Sequence, residues 1–303
     1  MKFGLVVPTL NACHEWQAWL DAFDSQTIKP DRLLVIDSNS SDNTVALAKS
    51  YGFDAEVVKR SEFDHGGTRQ YGVDSLNDVD VCVFLTQDAI FSDYDSLNQI
   101  LQPFHDASVA AVCGRQLPRK PAVPIEAHAR LYNYSSKSIV RSIDDVNRYG
   151  LKTAFISNSF AAYRVSALKE VGGFPKKVIF GEDMYVAAKL LRSGYKIAYC
   201  ADACVFHSHN YTIFQEFSRY FDMGVFHARE PWIRQELGNA EGEGVRFVIS
   251  EFKYLIRHAF WRLPEAVLRT IMKYIGFYLG LAERHIPLNI KRKISMNPGY
   301  FKL

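Results

Sequence analysis

Three short apolar runs, each stopped by polar residues, constrain the fold of this chain more than any other feature. They are Phe3–Pro8, Arg32–Asp37 and Val79–Leu85. Each is too short for a typical helix and too continuously apolar for a half-exposed strand, so each reads as a strand buried on both faces. Between them lie segments with helical spacing at Trp16–Ser25, Val45–Tyr51 and Thr68–Leu76, and Ala55–Lys59 offers a further strand. Ser41-Asp42-Asn43-Thr44 supplies N-cap chemistry to the second helix. Strands alternating with helices make βαβ units, whose strands run parallel under covering helices. The expectation is an α/β fold with a mostly parallel central sheet flanked by helices.

Beyond Ser92 the alternation loosens. The pattern predicts a helix near Tyr94–Phe104, a strand Val109–Cys113, a proline-bearing loop Arg115–Pro124 and a helix Ala127–Ile139. A strand Phe155–Tyr163, a turn Gly172–Pro175, a helix Asp183–Ser193 closed by Gly194 and a last strand Lys196–Cys200 follow. From Ile213 the sequence reads as mainly helical, which divides the chain into an α/β domain, 1–212, and a C-terminal region, 213–303.

Charge sharpens that division. The whole chain carries only +3, yet Val245–Leu303 holds 11 Lys/Arg against 3 Asp/Glu, and the remainder is net acidic. An acidic α/β domain disfavours a polyanion there, so nucleic acid is not expected as a partner. The start Met1-Lys2-Phe3-Gly4 lacks a signal-peptide pattern, no apolar window reaches membrane-spanning length, and the 5 cysteines show no framework spacing. A cytoplasmic location is expected.

In an open α/β sheet, ligands bind beyond the carboxyl ends of the strands. The polar residues there are Thr9 and Asn11, Asp37-Ser38-Asn39-Ser40, and Thr86-Gln87-Asp88, which should converge on one rim. Neither a G-x-G-x-x-G turn nor a P-loop follows the first strand, so no dinucleotide or ATP fingerprint is present. Asp37 can accept hydrogen bonds from a nucleobase or a ribose. Phe63-Asp64-His65-Gly66-Gly67-Thr68-Arg69 places a Gly-Gly turn before a helix with a cation in its first turn, a combination suited to a diphosphate. Asp88 is a natural ligand for a divalent cation, with His207 or His209 able to add nitrogen. Cys200, Cys204, His207 and His209 offer a zinc alternative, although C-x3-C-x2-H-x-H is not a usual structural zinc spacing. Glu182-Asp183 opens a helix, where acids either complement the dipole or act as a general base.

Taken in order, these segments resemble the family 2 glycosyltransferases, inverting enzymes of the GT-A fold. Val6-Val7-Pro8-Thr9-Leu10-Asn11 is similar to the family's opening strand and turn, and Val35–Thr44 to its nucleotide-binding segment. Gly172-Gly173-Phe174 with Glu182-Asp183 is similar to its acceptor turn and catalytic pair. The donor loop Phe63–Arg69 and Leu85-Thr86-Gln87-Asp88-Ala89 resemble the bacterial rhamnosyltransferase branch, with Thr86 where most of the wider family has Asp.

The resemblance implies a GT-A nucleotide-diphospho-sugar transferase with a C-terminal helical extension. It implies Mg²⁺ or Mn²⁺ on Asp88 completed by His207 or His209, and Asp183 as general base beside Glu182. Donor contacts would come from Pro8, Thr9, Asn11, Asp37, Asn39, His65, Gly67, Arg69, Thr86 and Gln87. It further implies dTDP-rhamnose as donor and a saccharide, free or lipid-linked, as acceptor in cell-surface polysaccharide synthesis. A nucleotidyltransferase is the rival enzyme class, but it would need a Gly-rich basic loop after the first strand. A nucleic-acid-binding module is the non-enzymatic rival.

The tail interleaves Phe247, Phe252, Tyr254, Phe260, Trp261 and the apolar stretch Ile271–Leu281 with Arg246, Lys253, Arg257, Arg262, Arg269 and Lys273. Such a mixture suits helices at an anionic membrane interface, here the inner face of a bacterial plasma membrane. The competing expectation is a helical subdomain packed on the core or on a second copy in a homo-oligomer.

Overall fold

A computed structural model of the chain describes residues 1–76, 78–238 and 242–301. Its regular elements begin β1 Phe3–Thr9, α1 Cys13–Asp24, β2 Arg32–Asp37, α2 Thr44–Ser50, β3 Asp54–Val57, α3 His65–Ser75, β4 Val81–Leu85 and β5 Ile90–Phe91. They continue with α4 Ser96–Leu101, β6 Val109–Leu117, α5 Pro124–Asn133, β7 Ile139–Arg141, α6 Val146–Tyr149, β8 Phe160–Arg164 and α7 Val165–Glu170. After α8 Glu182–Arg192 and β9 Lys196–Phe206 come five helices: α9 Ile213–Arg229, α10 Pro231–Leu237, α11 Glu243–His258, α12 Leu263–Leu281 and α13 Leu288–Ile294.

All the strands join one sheet in the order β3-β2-β1-β4-β8-β6-β9-β5, with β7 beside β9. Pairing is parallel across β3-β2-β1-β4 and at β6–β9, while β8, β5 and β7 run antiparallel to their neighbours. Register explains the rim. Thr9 lies opposite Asp37, Leu85 opposite Phe160, and Leu117 opposite Phe206. The carboxyl ends of β1, β2, β4, β6 and β9 and the amino end of β8 therefore share one edge.

Two apolar clusters cover the two faces of the sheet. One includes Trp16 and Trp19, fully buried and stacked with ring centroids 4.6 Å apart. Burying each such side chain contributes on the order of 2–3 kcal/mol, enough to lock α1 onto the sheet. The other cluster runs from Val6, Ile36 and Phe84 to Phe221, Val225, Ile233 and Phe301, so the helices beyond residue 212 pack on the same core.

Two strand boundaries differ from expectation for local reasons. β8 begins only at Phe160, because Ser157 and Asn158 direct their side chains to polar partners instead of extending the strand. β9 runs on to Phe206, past Cys200 and Cys204, and delivers His207 directly onto the rim.

The helix pair α9–α12 is inverted relative to an ordinary surface helix. Arg269 and Lys273 point inward onto Glu216 at 2.8 and 3.0 Å. The exposed side of α12 carries Val267, Leu268, Ile271, Tyr274, Ile275, Tyr278 and Leu279. Glycines allow the close approach, since a Cβ on Gly280 would stand 2.1 Å from the Phe221 carbonyl oxygen. Among the described residues no helix is long and apolar enough to cross a membrane.

Candidate active site

Asp88, just beyond β4, meets two imidazoles delivered by the end of β9. Its Oδ2 lies 3.4 Å from His207 Nε2 and 3.6 Å from His209 Nε2, and the three ligand atoms fall within 4.8 Å of one another. Gln116 Oε1, 2.8 Å from His207 Nδ1, accepts that nitrogen's proton and leaves the Nε2 lone pair facing the carboxylate. Burial lowers the pKa of His207, and it pushes that of His209 down to about 4 with help from His207, so both rings favour the neutral, ligating form. Burial opposes ionisation of Asp88, but the polar surroundings that His207, Thr86 and His209 give it hold its carboxyl below the usual range. One carboxylate and two neutral imidazoles fit a divalent cation. The cysteine alternative does not hold: Cys200 and Cys204 Sγ donate to the carbonyls of Gln99 and Ala201, and neither belongs to the cluster.

The carboxyl pair sits across a short chain of contacts from this cluster. Gly181, at φ +70°, takes the left-handed turn that starts α8 and places Glu182 and Asp183 in its first turn. Asn158 joins the two acids, its backbone N–H donating to Asp183 Oδ2 at 3.3 Å and its Nδ2 to Glu182 Oε1 at 3.1 Å. Neighbouring Ser157 accepts from Gln116 Nε2 at 3.0 Å, and Gln116 holds His207. Burial and the adjacent Glu182 push Asp183 up to about 7. Glu182 moves the other way: burial would raise it, but Arg69 and His65 keep it ionised. The two acids are thus divided into a permanent anion and a carboxyl poised to exchange a proton near neutrality.

Arg69 has a partner that the sequence reading did not foresee. Its guanidinium is buried and pairs with Glu182 Oε1 at 3.0 Å. The Gly-Gly pair also differs from expectation. Gly66 and Gly67 lie inside α3, not before it; Asp64 caps Gly67 N–H at 2.8 Å, and a Cβ on Gly66 would strike the Pro175 carbonyl oxygen at 1.8 Å. These glycines permit packing against the Gly172–Pro175 turn, which Gln70 also holds by accepting from Phe174 N–H at 2.8 Å. His65 packs its ring edge on Phe63, with centroids 4.9 Å apart.

The β1–β2 side of the rim is largely self-satisfied. Asp37 is fully buried, and its carboxylate accepts from Thr9 Oγ1 at 2.8 Å, Ser40 N–H at 2.7 Å and Ser40 Oγ at 2.6 Å. Any nucleobase or ribose contact of Asp37 therefore shares its carboxylate with Thr9 and Ser40. Gln87 is engaged twice by Leu10, accepting from its N–H at 2.7 Å and donating to its carbonyl at 3.1 Å. Asn11, at φ +47°, accepts from Ser41 N–H at 2.9 Å. Thr86 N–H donates to the Ser159 carbonyl at 3.3 Å, tying β4 to the segment before β8. Pro8 is partly buried, and Asn39 projects into solvent at φ +63°.

One residue the sequence reading missed is Arg219, on α9. It is exposed, stacks over Phe180 and Tyr211 at 4.9 and 5.9 Å, and stands close enough to disfavour protonation of His65, His207 and His209. The only available signal was its place shortly after the histidines, beyond the boundary drawn at 212.

Residues 5–172 match the family described as Glycosyl transferase family 2. The chain is 50% identical over 302 residues to the O-antigen chain rhamnosyltransferase RfbN of Salmonella typhimurium, covering 99% of this chain and 96% of that protein. It is 49% identical over 301 residues to the O-antigen chain rhamnosyltransferase WbaN of Salmonella anatum, with the same coverage. Among solved structures, the mannosyltransferase PcManGT from Pyrobaculum calidifontis in complex with GDP-Man and Mn²⁺ superposes with a TM-score of 0.57 at 18% identity, covering 99% of this chain and 84% of that one. S. aureus TarS 1-349 in complex with UDP-GlcNAc gives 0.57 at 16% identity, covering 98% and 84%. At such identities the likeness speaks to fold alone, and the fold is GT-A with helices appended.

Proposed function

The chain belongs to glycosyl transferase family 2, and from that premise we propose that it moves L-rhamnose from dTDP-L-rhamnose to a hydroxyl of a lipid-linked saccharide during O-antigen assembly. The nucleotidyltransferase and nucleic-acid readings fall with that membership. The observation that carries the mechanism is the contact chain Asp88–His207–Gln116–Ser157–Asn158–Asp183, which sets a cation-ligating group and a near-neutral carboxyl on one rim.

In the reaction we infer, the acceptor hydroxyl attacks the anomeric carbon as the carbon–oxygen bond to the nucleoside diphosphate breaks, inverting that centre. Asp183 takes the hydroxyl proton. Glu182, held ionised by Arg69, raises the affinity of Asp183 for that proton and keeps it a competent base near pH 7. Arg219 supplies positive charge beside the departing diphosphate, the role first expected of Arg69. Asp88, His207 and His209 would hold the metal, whose chemistry is to neutralise charge on the leaving group. Two nitrogens and one oxygen favour Mn²⁺ over Mg²⁺, which prefers an all-oxygen shell. A donor panel tests the sugar: dTDP-rhamnose should be hydrolysed by the purified protein faster than UDP- or GDP-hexoses. An equal or reversed preference removes rhamnose.

We also assign the outer face of α12 to the inner surface of the plasma membrane, making the enzyme peripheral there. The face is apolar, its charges are turned inward, and Arg257, Arg284, Arg292 and Lys293 stand exposed on the flanking elements. A second copy packed on the same face would bring like charges together, whereas anionic lipid complements them. Co-sedimentation with phosphatidylglycerol vesicles should fall sharply in a Phe260→Ser/Trp261→Ser variant. Unchanged partitioning, or a concentration-dependent dimer in its place, would overturn the assignment.

A further inference from the structure

A polar groove of about 570 Å³ lies between α5 and α11 and shares no lining residue with the Asp88, Asp183, His207 and His209 site. One face of α11 supplies Ser250, Lys253, Tyr254 and Arg257, spaced three and four residues apart, and β6 adds Arg115 from below. Among the described residues no carboxylate lines it. Among the described residues none of Arg115, Lys253 and Arg257 has an acidic partner, whereas Arg69 and Arg269 each face a carboxylate. Three cations lining one groove without a counter-charge give it a positive potential that attracts an anion.

A second observation points to a ligand. His128 lines the groove, is only 3% exposed, and its Nδ1 has no hydrogen-bond partner, while its Nε2 lies 2.9 Å from Ser250 Oγ. A buried imidazole nitrogen without a partner leaves a hydrogen bond to be made by whatever enters. Arg115 Nε is likewise buried and unpartnered. The groove opens where α11 ends, one turn before Phe260 and Trp261, which are 65% and 66% exposed.

We propose that this groove is a binding site for a phosphate or diphosphate group, distinct from the donor diphosphate site at Asp88, with Arg115, Lys253 and Arg257 as its cations and His128 and Ser250 as its neutral partners. Its volume is ample for a diphosphate. Its position beside the exposed Phe260-Trp261 turn lets a lipid-borne phosphate reach it from the membrane side, and a free one from solvent. The proposal goes beyond the transfer reaction and does not depend on which sugar the donor carries.

The test uses the full chain in chelator, so that the Asp88 cluster is silent, and titrates farnesyl diphosphate and inorganic pyrophosphate by calorimetry. Lys253→Gln/Arg257→Gln removes two exposed cations that no fold contact uses. At about 1 kcal/mol per cation it should weaken both ligands roughly thirty-fold, with melting temperature and donor hydrolysis unchanged. Tenfold tighter binding of the prenyl ligand assigns a lipid source, and equal binding a free phosphate. Arg292→Gln/Lys293→Gln, which removes two cations on another element, should change neither. The proposal is overturned if neither diphosphate binds, if the Lys253/Arg257 variant binds both like the parent, or if the Arg292/Lys293 control weakens them equally. Donor hydrolysis, measured in parallel with metal, reports on the transferase reading separately.

Discussion

The two halves of the rim are built from the same kinds of residue and use them in opposite ways. At the ends of β1 and β2, Asp37, Thr9 and Asn11, joined there by Gln87 from beyond β4, spend their polar atoms on one another and on backbone. At the ends of β4, β6, β8 and β9, Asp88, Asp183, His207 and His209 sit with displaced proton affinities, few internal partners and a cation nearby. A satisfied carboxylate organises loops; a carboxyl pushed up to about 7 can exchange a proton. Satisfaction, and not residue type, separates scaffold from chemistry.

The sharpest way to break that comparison is Asp183→Asn. General-base catalysis is worth about 10²–10⁴-fold, so kcat should fall by that factor while donor affinity stays. In the parent, the rate should fall below pH 7 as Asp183 takes up a proton and flatten above it, because only the ionised carboxyl accepts from the acceptor. A variant that turns over normally, or a profile flat from pH 5 to 9, moves the base elsewhere. Asp88→Ala should abolish metal-stimulated donor binding, read by calorimetry with and without EDTA. Metal-stimulated binding that survives would show the cluster to be a buried hydrogen-bonded group only.

How much of this was legible in the sequence follows from the range over which each interaction acts. The strand ends on the rim were readable because apolar runs and the parallel-sheet rule are local. The two histidines were readable as a pair for the same reason. Partners were not. Whether Arg69 faces a diphosphate or Glu182 depends on how α3 packs against α8, and whether Asp37 faces a nucleobase or Ser40 depends on a loop closing over it. Gln116 fell in an expected loop because the prolines near it suggested one, yet β6 extends to Leu117. Arg219 lay beyond a boundary drawn where strands give way to helices, although α9 shares the core beneath the site.

Arg69 and Arg219 give the next largest contrast. Removing one partner of a buried ion pair typically costs about 3–5 kcal/mol, so Arg69→Ala should lower the melting temperature steeply. Arg219→Ala removes an exposed cation, and it should leave melting nearly unchanged while raising the donor's dissociation constant about tenfold, roughly the worth of one charge-assisted contact. If the two phenotypes are exchanged, Arg69 is the diphosphate cation after all and the pair with Glu182 breaks when donor binds.

The smallest effect expected tests the quiet side of the rim. Gln87 makes two hydrogen bonds to the Leu10 backbone, each worth about 0.5–1.5 kcal/mol net, so Gln87→Ala should destabilise the protein by about 1–3 kcal/mol. Because this side chain holds a loop, any loss of donor affinity should be restored by lowering the temperature well below the melting transition. A direct contact would behave differently, with donor affinity falling at every temperature and melting left intact. That result would place a working contact among groups whose hydrogen bonds are already made, and proton displacement would then be too narrow a guide to which residues act.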